Sequence, residues 1–302
     1  MSKNKKAILF NQIALIGIGL IGSSLAHGIK RKQLANHISV TARSKKSLDK
    51  AVELGIADSV TLDQAEAVRD ADLVIICSPI GAYPEIIKAT AKSLKPGAII
   101  SDVGSVKQAV IRDLGPYIPK GVHLIPAHPV AGTEHSGPES GFPELFENRW
   151  CIITPPEETD GTSLKRLSQF WQALGANIEI MDPNHHDLVM AMTSHLPHLI
   201  AYTIVGTATD LEKSLTNEVI KFSAGGFRDF TRIAASDPTM WRDVFLNNRD
   251  AVLEMLQRFS EDITALQRAI RWGEGETLFN LFSRTQQVRR SVIEAKQEKM
   301  YD

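Results

Sequence analysis

Short apolar runs alternate with longer amphipathic runs through the first 180 residues of the chain. The apolar runs have the length and composition of buried strands, and they cover residues 13–16, 38–41, 73–77, 98–101, 123–125, 151–154 and 177–180. Helical periodicity occurs between several of them, at residues 22–31, 47–54, 84–93 and 163–174. Such alternation is typical of a parallel sheet with helices on both faces.

The pattern changes near Met181-Asp182-Pro183, after which the sequence predicts helices and no strand. The predicted helices are interrupted at Pro197, Gly225-Gly226, Asp237-Pro238 and Gly273. We therefore predict two domains, residues 1–181 and 182–302. The predicted fold class is α/β, an N-terminal Rossmann-like, doubly wound parallel sheet followed by an all-helical C-terminal domain.

An apolar seam with helical spacing lies within residues 251–270. It consists of Val252, Leu256, Phe259, Ile263, Leu266 and Ile270. A narrow seam of this kind packs against another helix. The first expectation is a helix of the same chain, and the alternative is a subunit interface that would make the protein a homodimer.

Composition narrows the functional classes. The chain has 302 residues, of which 43% are hydrophobic and 23% charged, and its formal net charge is -1. These values suit a folded protein with a core and give no general attraction to nucleic acid. No uninterrupted apolar stretch reaches about 18 residues, so we expect no membrane span. The lysine-containing start continues into the first predicted strand and has no cleavage pattern of a signal peptide. Cys77 and Cys151 are far apart, which indicates two reduced thiols in a cytoplasmic protein.

A glycine motif follows the first predicted strand. Residues Gly17, Ile18, Gly19, Leu20, Ile21 and Gly22 spell GxGxxG and open a helical run. The first glycine permits a tight turn, the second lets the backbone approach a pyrophosphate, and the third permits close packing of helix on strand. The motif in this context predicts a dinucleotide site, with Leu20 and Ile21 at the helix N-terminus.

The residues at the end of the second strand, about 20 positions after the motif, determine the preference for NAD or NADP. An NAD site has a carboxylate there, but this chain has Ala42 followed by Arg43, Ser44 and Lys45. Cations and a hydroxyl suit a 2′-phosphate, so we predict NADP, with NAD as the alternative. Cys77, Ser78 and Pro79 follow another strand and are predicted to lie beside the cofactor.

Four further polar segments are candidates for chemistry. His128 lies in the segment HPVAGTE, after an apolar run, where an imidazole on a loop could exchange protons near neutral pH. The other three segments are SDVGSVK, which contains Ser105, and TSHLPH and GFRDFTR, which lie in the helical half. His195 and His198 are three residues apart, but the proline between them and the lack of a nearby carboxylate pair argue against a metal site.

Taken in this order, the segments GIGLIG, SDVGSVK, HPVAGTEHSG, TSHLPH and GFRDFTRIAASDPTMW resemble the prephenate/arogenate (cyclohexadienyl) dehydrogenase family of tyrosine biosynthesis. The resemblance spans nearly the whole chain and implies an NAD(P)-dependent oxidative decarboxylation. It implies that His128 is the catalytic histidine and that Ser105 hydrogen-bonds it or the substrate hydroxyl. The implied substrate-binding residues are Ser194, His198 and Arg232, with Asp229 and Glu134 in the surrounding ionic network and Trp241 near the subunit boundary. Ala42 departs from the family, since many NAD-using members have Asp there.

The substrates in this family are prephenate and arogenate, which differ in one side chain that carries a keto group or an ammonium. A carboxylate near that group would favour the ammonium, and Glu134 is the candidate. We therefore expect arogenate to be accepted, although Glu134 could equally pair with an arginine.

Two alternative functions remain open for this sequence. β-Hydroxyacid dehydrogenases and imine or pyrroline reductases share this architecture, but they usually rely on a lysine in the helical half. Lys213 and Lys221 occur there, outside any motif that we recognise. The second alternative is a dinucleotide sensor without catalysis, which would not need His128, Ser105, His198 and Arg232 together.

Overall fold

The computed structural model describes residues 8–133, 135–210, 218, 221–222 and 225–294. Glu134 and Lys213 therefore lie outside the described residues. The strands are β1 (Phe10–Ile16), β2 (Ala35–Thr41), β3 (Ser59–Thr61), β4 (Leu73–Ile76), β5 (Ile99–Asp102), β6 (His123–Leu124), β7 (Ala127–Pro129), β8 (Trp150–Ile153) and β9 (Asn177–Ile180).

The first six strands form one parallel sheet in the order β3-β2-β1-β4-β5-β6. Successive residues of its central strands enter opposite cores, because side chains alternate along a strand. In β1, Ile13 and Leu15 belong to one apolar cluster, whereas Ala14 and Ile16 belong to the other. The strand order changes direction between β1 and β4, and ligands of such sheets bind at this point, beyond the carboxyl ends of the strands.

The last three strands form a separate small sheet, β7-β8-β9. Strand β7 pairs antiparallel with β8, and His128 lies opposite Ile152. The expectation that His128 lies on a loop is therefore wrong. The strand has only three residues and begins just after Pro126, so alternation of apolar residues could not reveal it.

The helices of the α/β region are α1 (Leu20–Lys32), α2 (Lys45–Glu53), α3 (Gln64–Val68), α4 (Tyr83–Thr90), α5 (Gln108–Leu114) and α6 (Gly161–Ala173). Side-chain oxygens begin three of them: Ser44 caps α2, Asp63 caps α3 and Asp160 caps α6. Helix α1 begins at Leu20, and Gly19 before it provides no side-chain cap. Its first N–H groups are therefore available to a ligand.

After β9 the described residues form helical elements: α7 (Pro183–Met190), a π turn (Ala191–His195), α8 (Leu196–Thr209), α9 (Gly225–Thr231), a short 3-10 helix (Arg232–Ala235), α10 (Pro238–Asn247), α11 (Arg249–Trp272) and α12 (Gly275–Glu294). Asp182 and Asp237 cap α7 and α10, each before a proline that suits the first helical turn. We expected Pro197 to interrupt the helices, but the π turn continues directly into α8, so Pro197 causes no interruption. By length and composition alone, residues Pro183–Thr209 could cross a membrane. The first half of this run, however, makes buried polar contacts within the folded domain, which are described below.

The chain divides into two compact units, Met1–Val252 and Leu253–Asp302. The residues of the site described below belong to the first unit. In the second unit, several apolar side chains on α11 and α12 are exposed, among them Ile270 (66%), Trp272 (65%) and Phe279 (70%).

Candidate active site

The glycine turn lies at the carboxyl ends of β1 and β4. Gly17 has a φ of 102°, and a side chain there would meet the Cys77 carbonyl and the Ser78 hydroxyl at 2.9 Å. A Cβ on Gly22 would lie 2.3 Å from the Gly17 carbonyl oxygen, so only glycine fits beneath the turn. Gly19, in contrast, faces open space. This arrangement fits a pyrophosphate at the N-terminus of α1.

The end of β2 holds the predicted basic residues. Arg43 is exposed, and the Ser44 hydroxyl accepts the Ser47 N–H at 3.2 Å to cap α2. Lys45 forms an exposed salt bridge with Asp49 at 3.0 Å. Arg43 and the N-terminus of α2 are the groups best placed for an anion at this edge. Pro79 is exposed beside the turn, after Cys77 and Ser78.

A buried ionic cluster lies where β5 ends. The Lys107 ammonium donates to Asp102 Oδ2 at 2.6 Å and to the Ala127 carbonyl at 2.8 Å. Asp102 Oδ2 also accepts from the Gly104 N–H at 2.8 Å and the Tyr83 hydroxyl at 3.1 Å. The Ala127 N–H donates to Asp102 Oδ1 at 3.2 Å. The cluster therefore fixes β7, and with it His128, against the end of β5.

His128 is the first member of a chain of three side chains. Its Nδ1 lies 2.8 Å from Nε2 of His186, and Nδ1 of His186 lies 2.8 Å from Oδ1 of Asp187. The two rings meet edge to face, with centroids 5.1 Å apart. Asp187 also accepts the backbone N–H groups of Lys107 and Gln108, at 2.8 and 2.9 Å. His128, His186 and Asp187 are all buried.

Contacts continue from Asp187 toward the later helices. The Asn248 amide donates to the Asp187 carbonyl at 2.9 Å and to Nδ1 of His195 at 3.0 Å. The His195 ring packs edge-on against Trp241, and Trp241 stacks on His198 with centroids 3.7 Å apart and planes at 24°. These contacts therefore link Asp187 in α7 to helices α8 and α10.

Ser194, His198 and Arg232 lie together at the far end of these contacts. Nδ1 of His198 donates to the Ser194 carbonyl at 2.8 Å, because a carbonyl can only accept. Burial lowers the pKa of His198, and the nearby Arg232 charge lowers this pKa further. Ser194 and His198 are half-buried and Arg232 is exposed. A ligand between them would therefore meet a neutral imidazole and a guanidinium.

Burial also sets the charge of the inner histidines. It lowers the pKa of His128 well below its usual value, and the His186, Lys107 and His195 charges act in the same direction. Burial lowers the pKa of His186 despite the opposing effect of Asp187. It lowers the pKa of His195 to about 4, while the Ser105 backbone opposes the shift. At neutral pH the rings are uncharged, and a neutral imidazole can accept a proton.

The other predicted site residues are placed less centrally. Ser105 is half-buried near His195. Nδ1 of His128 bonds to His186, so Nε2 of His128 and the substrate hydroxyl both stay predicted partners of Ser105. Asp229 pairs with Arg228 at 3.2 Å on the surface, and both side chains are more than 70% exposed. The structure therefore does not bring Asp229 into the buried cluster.

Several polar residues of the cluster were not predicted from sequence, among them Asp102, Lys107, His186, Asp187 and Asn248. Two lie inside SDVGSVK, the segment that supplied Ser105. The run His185-His186-Asp187 was a visible signal, since a carboxylate next to a histidine often orients an imidazole. Asn248 had no such signal.

A glycine turn at the switch point of the sheet, next to a cluster of neutral histidines, defines a nucleotide-binding enzyme of the dehydrogenase class. The family "Prephenate dehydrogenase, nucleotide-binding domain" matches residues 25–180, and "Prephenate dehydrogenase, dimerization domain" matches residues 182–284. The chain belongs to the prephenate dehydrogenase family.

Individual relatives agree with this assignment. A cyclohexadienyl dehydrogenase of Zymomonas mobilis is 41% identical over 281 residues, which are 93% of this chain and 96% of that protein. A prephenate dehydrogenase of Bacillus subtilis is 34% identical over 271 residues, covering 89% of this chain and 73% of that protein. The solved structure of the Aquifex aeolicus prephenate dehydrogenase, in complex with hydroxyphenyl propionate and NAD+, has a TM-score of 0.88 and 33% identity, and covers 96% of this chain and 100% of that chain.

Proposed function

We propose that this protein catalyses the oxidative decarboxylation of a cyclohexadienyl substrate in tyrosine biosynthesis. The reaction converts prephenate to 4-hydroxyphenylpyruvate, L-arogenate to L-tyrosine, or both. The observation that carries the proposal is the buried, neutral His128 in a chain that belongs to the prephenate dehydrogenase family.

In this reaction His128 removes the proton of the ring 4-hydroxyl as a general base. A bound nicotinamide would supply the acceptor for the hydride that leaves C4. The resulting dienone loses its ring carboxylate as carbon dioxide, and the ring becomes aromatic. The proton held by His128 returns to the phenolate oxygen. Arg232 would hold a substrate carboxylate, because a guanidinium can bind one through two parallel hydrogen bonds.

We propose NADP as the preferred cofactor. Ala42 stands where an NAD site needs a carboxylate, and Arg43 is exposed directly after it. The Ser44 cap directs the N-terminus of α2 to the same edge. A 2′-phosphate would there meet a guanidinium and a helix N-terminus, both of which attract anions.

We propose that the protein is a cytoplasmic homodimer and that α11 and α12 form its interface. Residues 182–284 match a dimerization domain, and the second compact unit exposes Ile270, Trp272, Phe279 and Phe282. Exposed apolar patches of this kind mark contacts between proteins. Light scattering after size-exclusion chromatography should give twice the monomer mass of 33.2 kDa.

Steady-state kinetics with each substrate and each cofactor test the proposal. We expect reduced-cofactor absorbance with at least one substrate, and a higher kcat/KM for NADP than for NAD. The absence of a signal in every combination would reject the reaction. A higher kcat/KM for NAD would reject only the cofactor preference.

A further inference from the structure

The side chain of Asp187 is a hydrogen-bond acceptor on both oxygens. The Lys107 N–H donates to Oδ1 and the Gln108 N–H donates to Oδ2, at 2.8 and 2.9 Å. These N–H groups begin α5 and have no partner within that helix. In its carboxylate form Asp187 has no proton to donate and can only accept. The Nδ1 of His186, 2.8 Å from Oδ1, must therefore carry a proton and donate it to Asp187.

The proton position on His186 determines the proton position on His128. A neutral imidazole carries one proton, so a proton on Nδ1 of His186 leaves Nε2 of that ring as an acceptor. This Nε2 lies 2.8 Å from Nδ1 of His128. The hydrogen bond therefore requires the proton of His128 to be on Nδ1.

We propose that His186, oriented by Asp187, is a positioning residue that fixes the proton of His128 on Nδ1 and leaves Nε2 of His128 as the basic atom. The proposal deepens the proposed function and rests on it for the role of that atom. His186 acts through His128 and does not itself contact the reacting atoms.

This arrangement also accounts for what happens after proton transfer. When Nε2 of His128 accepts the hydroxyl proton, the ring becomes an imidazolium. Its Nδ1–H then donates a charge-assisted hydrogen bond to His186, with the Asp187 carboxylate at the far end of the chain. The protein can thus hold the positive charge until the proton returns to the product oxygen. His186 itself needs to gain or lose no proton in this sequence.

The tautomer can be measured without substrate. Nitrogen NMR of the resting protein with 15N-labelled histidine distinguishes a protonated from an unprotonated ring nitrogen, and the signals that disappear in His128→Asn are those of His128. We expect a protonated Nδ1 and an unprotonated Nε2. A protonated Nε2 would overturn the proposal, whether or not the enzyme acts on prephenate. This readout therefore separates the proposal from the proposed function.

A pair of variants tests the effect on turnover. The glutamine oxygen in His186→Gln can reach the place of Nε2 and accept from His128, whereas the shorter side chain in His186→Asn cannot. We expect His186→Asn to lose at least about 10²-fold in kcat, with KM changed less than about threefold, because general-base catalysis contributes roughly 10²–10⁴. His186→Gln should retain kcat within about tenfold of the wild type.

The His128 tautomer in each variant completes the experiment. We expect Nδ1 to remain protonated in His186→Gln, and Nε2 to become protonated in part of the His186→Asn molecules. Equal losses of kcat in both variants with an unchanged tautomer would overturn the proposal. So would a kcat in His186→Asn within about threefold of the wild type. If His186→Asn does not fold, the tautomer and kcat of His186→Gln still decide the question.

Discussion

The ammonium nitrogen of Lys107 lies 2.6 Å from Oδ2 of Asp102, and both side chains are fully buried. This pair connects β5 to the Ala127 carbonyl, one residue before His128. Removal of one partner leaves a buried charge without compensation. We expect Lys107→Met to lower the free energy of unfolding by roughly 3–5 kcal/mol, measured by urea denaturation.

The control is Lys88→Met, because Lys88 forms an exposed salt bridge with Glu85. Its loss should cost about 1 kcal/mol or less. A Lys107→Met protein as stable as Lys88→Met would show that the buried pair contributes little to stability.

The glycine turn provides a second pair of variants. In Gly22→Ala the new methyl group would collide with the Gly17 carbonyl, so both stability and cofactor binding should fall. In Gly19→Ala the methyl group enters open space, so stability should change by less than about 1 kcal/mol. Cofactor binding should still weaken, because the methyl group obstructs the approach of the pyrophosphate. Unfolding curves and cofactor titration of both proteins measure this. Tight binding by Gly19→Ala would place the cofactor elsewhere.

Sequence periodicity predicted the parallel sheet and its glycine turn because both depend on local patterns. Short continuous apolar runs define β1 and β4, and GxGxxG lies between a strand and a helix. Strands β3 and β7 were not predicted, since runs of three residues have too few positions to show a period.

The inner part of the site depends on contacts between distant residues. His128 meets His186 58 positions away, and Asn248 meets Asp187 61 positions away. Ser194, His198 and Arg232 could be named because they lie in segments that resemble a family. The local run His185-His186-Asp187 marks a histidine beside a carboxylate, but it does not indicate that His186 will meet His128, because this contact depends on how α7 packs beside β7.

Loss of the His128 imidazole should stop turnover while leaving the cofactor bound. We expect His128→Asn to lower kcat by roughly 10²–10⁴, with the dissociation constant of the cofactor changed less than about threefold. Steady-state kinetics and fluorescence titration measure the two quantities. The matched control is His185→Asn on the exposed side of α7, which should behave as the wild type. Activity of His128→Asn within about tenfold of the wild type would mean that another group is the base.

The preference for NADP should depend on Arg43. Arg43→Ala removes a guanidinium from the edge where a 2′-phosphate is proposed to bind. We expect KM for NADP to rise about tenfold or more, as for loss of a charged hydrogen bond of roughly 1.5–3 kcal/mol, while KM for NAD changes little. Lys46→Ala, also exposed in this segment, is the control and should affect both cofactors weakly. Equal effects of Arg43→Ala on NADP and NAD would exclude a contact with the 2′-phosphate.

The buried ring of His195 should make the stability of the protein depend on pH. Burial lowers the pKa of His195 from its ordinary value of 6.5 to about 4, so the unfolded chain binds a proton at this ring before the native protein does. The stabilising contribution is therefore complete above pH 6.5 and is lost as the pH falls toward 4. Its full size is about 3 kcal/mol.

Urea denaturation at about pH 7, 6 and 5 measures how steeply the free energy of unfolding changes with pH. His195→Gln cannot take up the proton, so its stability should fall less steeply between these values than that of the wild type. The lowered pKa values of His128 and His186 act in the same direction in both proteins and cancel in the comparison. The control is His185→Gln, whose exposed side chain should leave the wild-type slope unchanged. Parallel curves for His195→Gln and the wild type would mean that His195 has the same pKa in the native protein as in the unfolded chain.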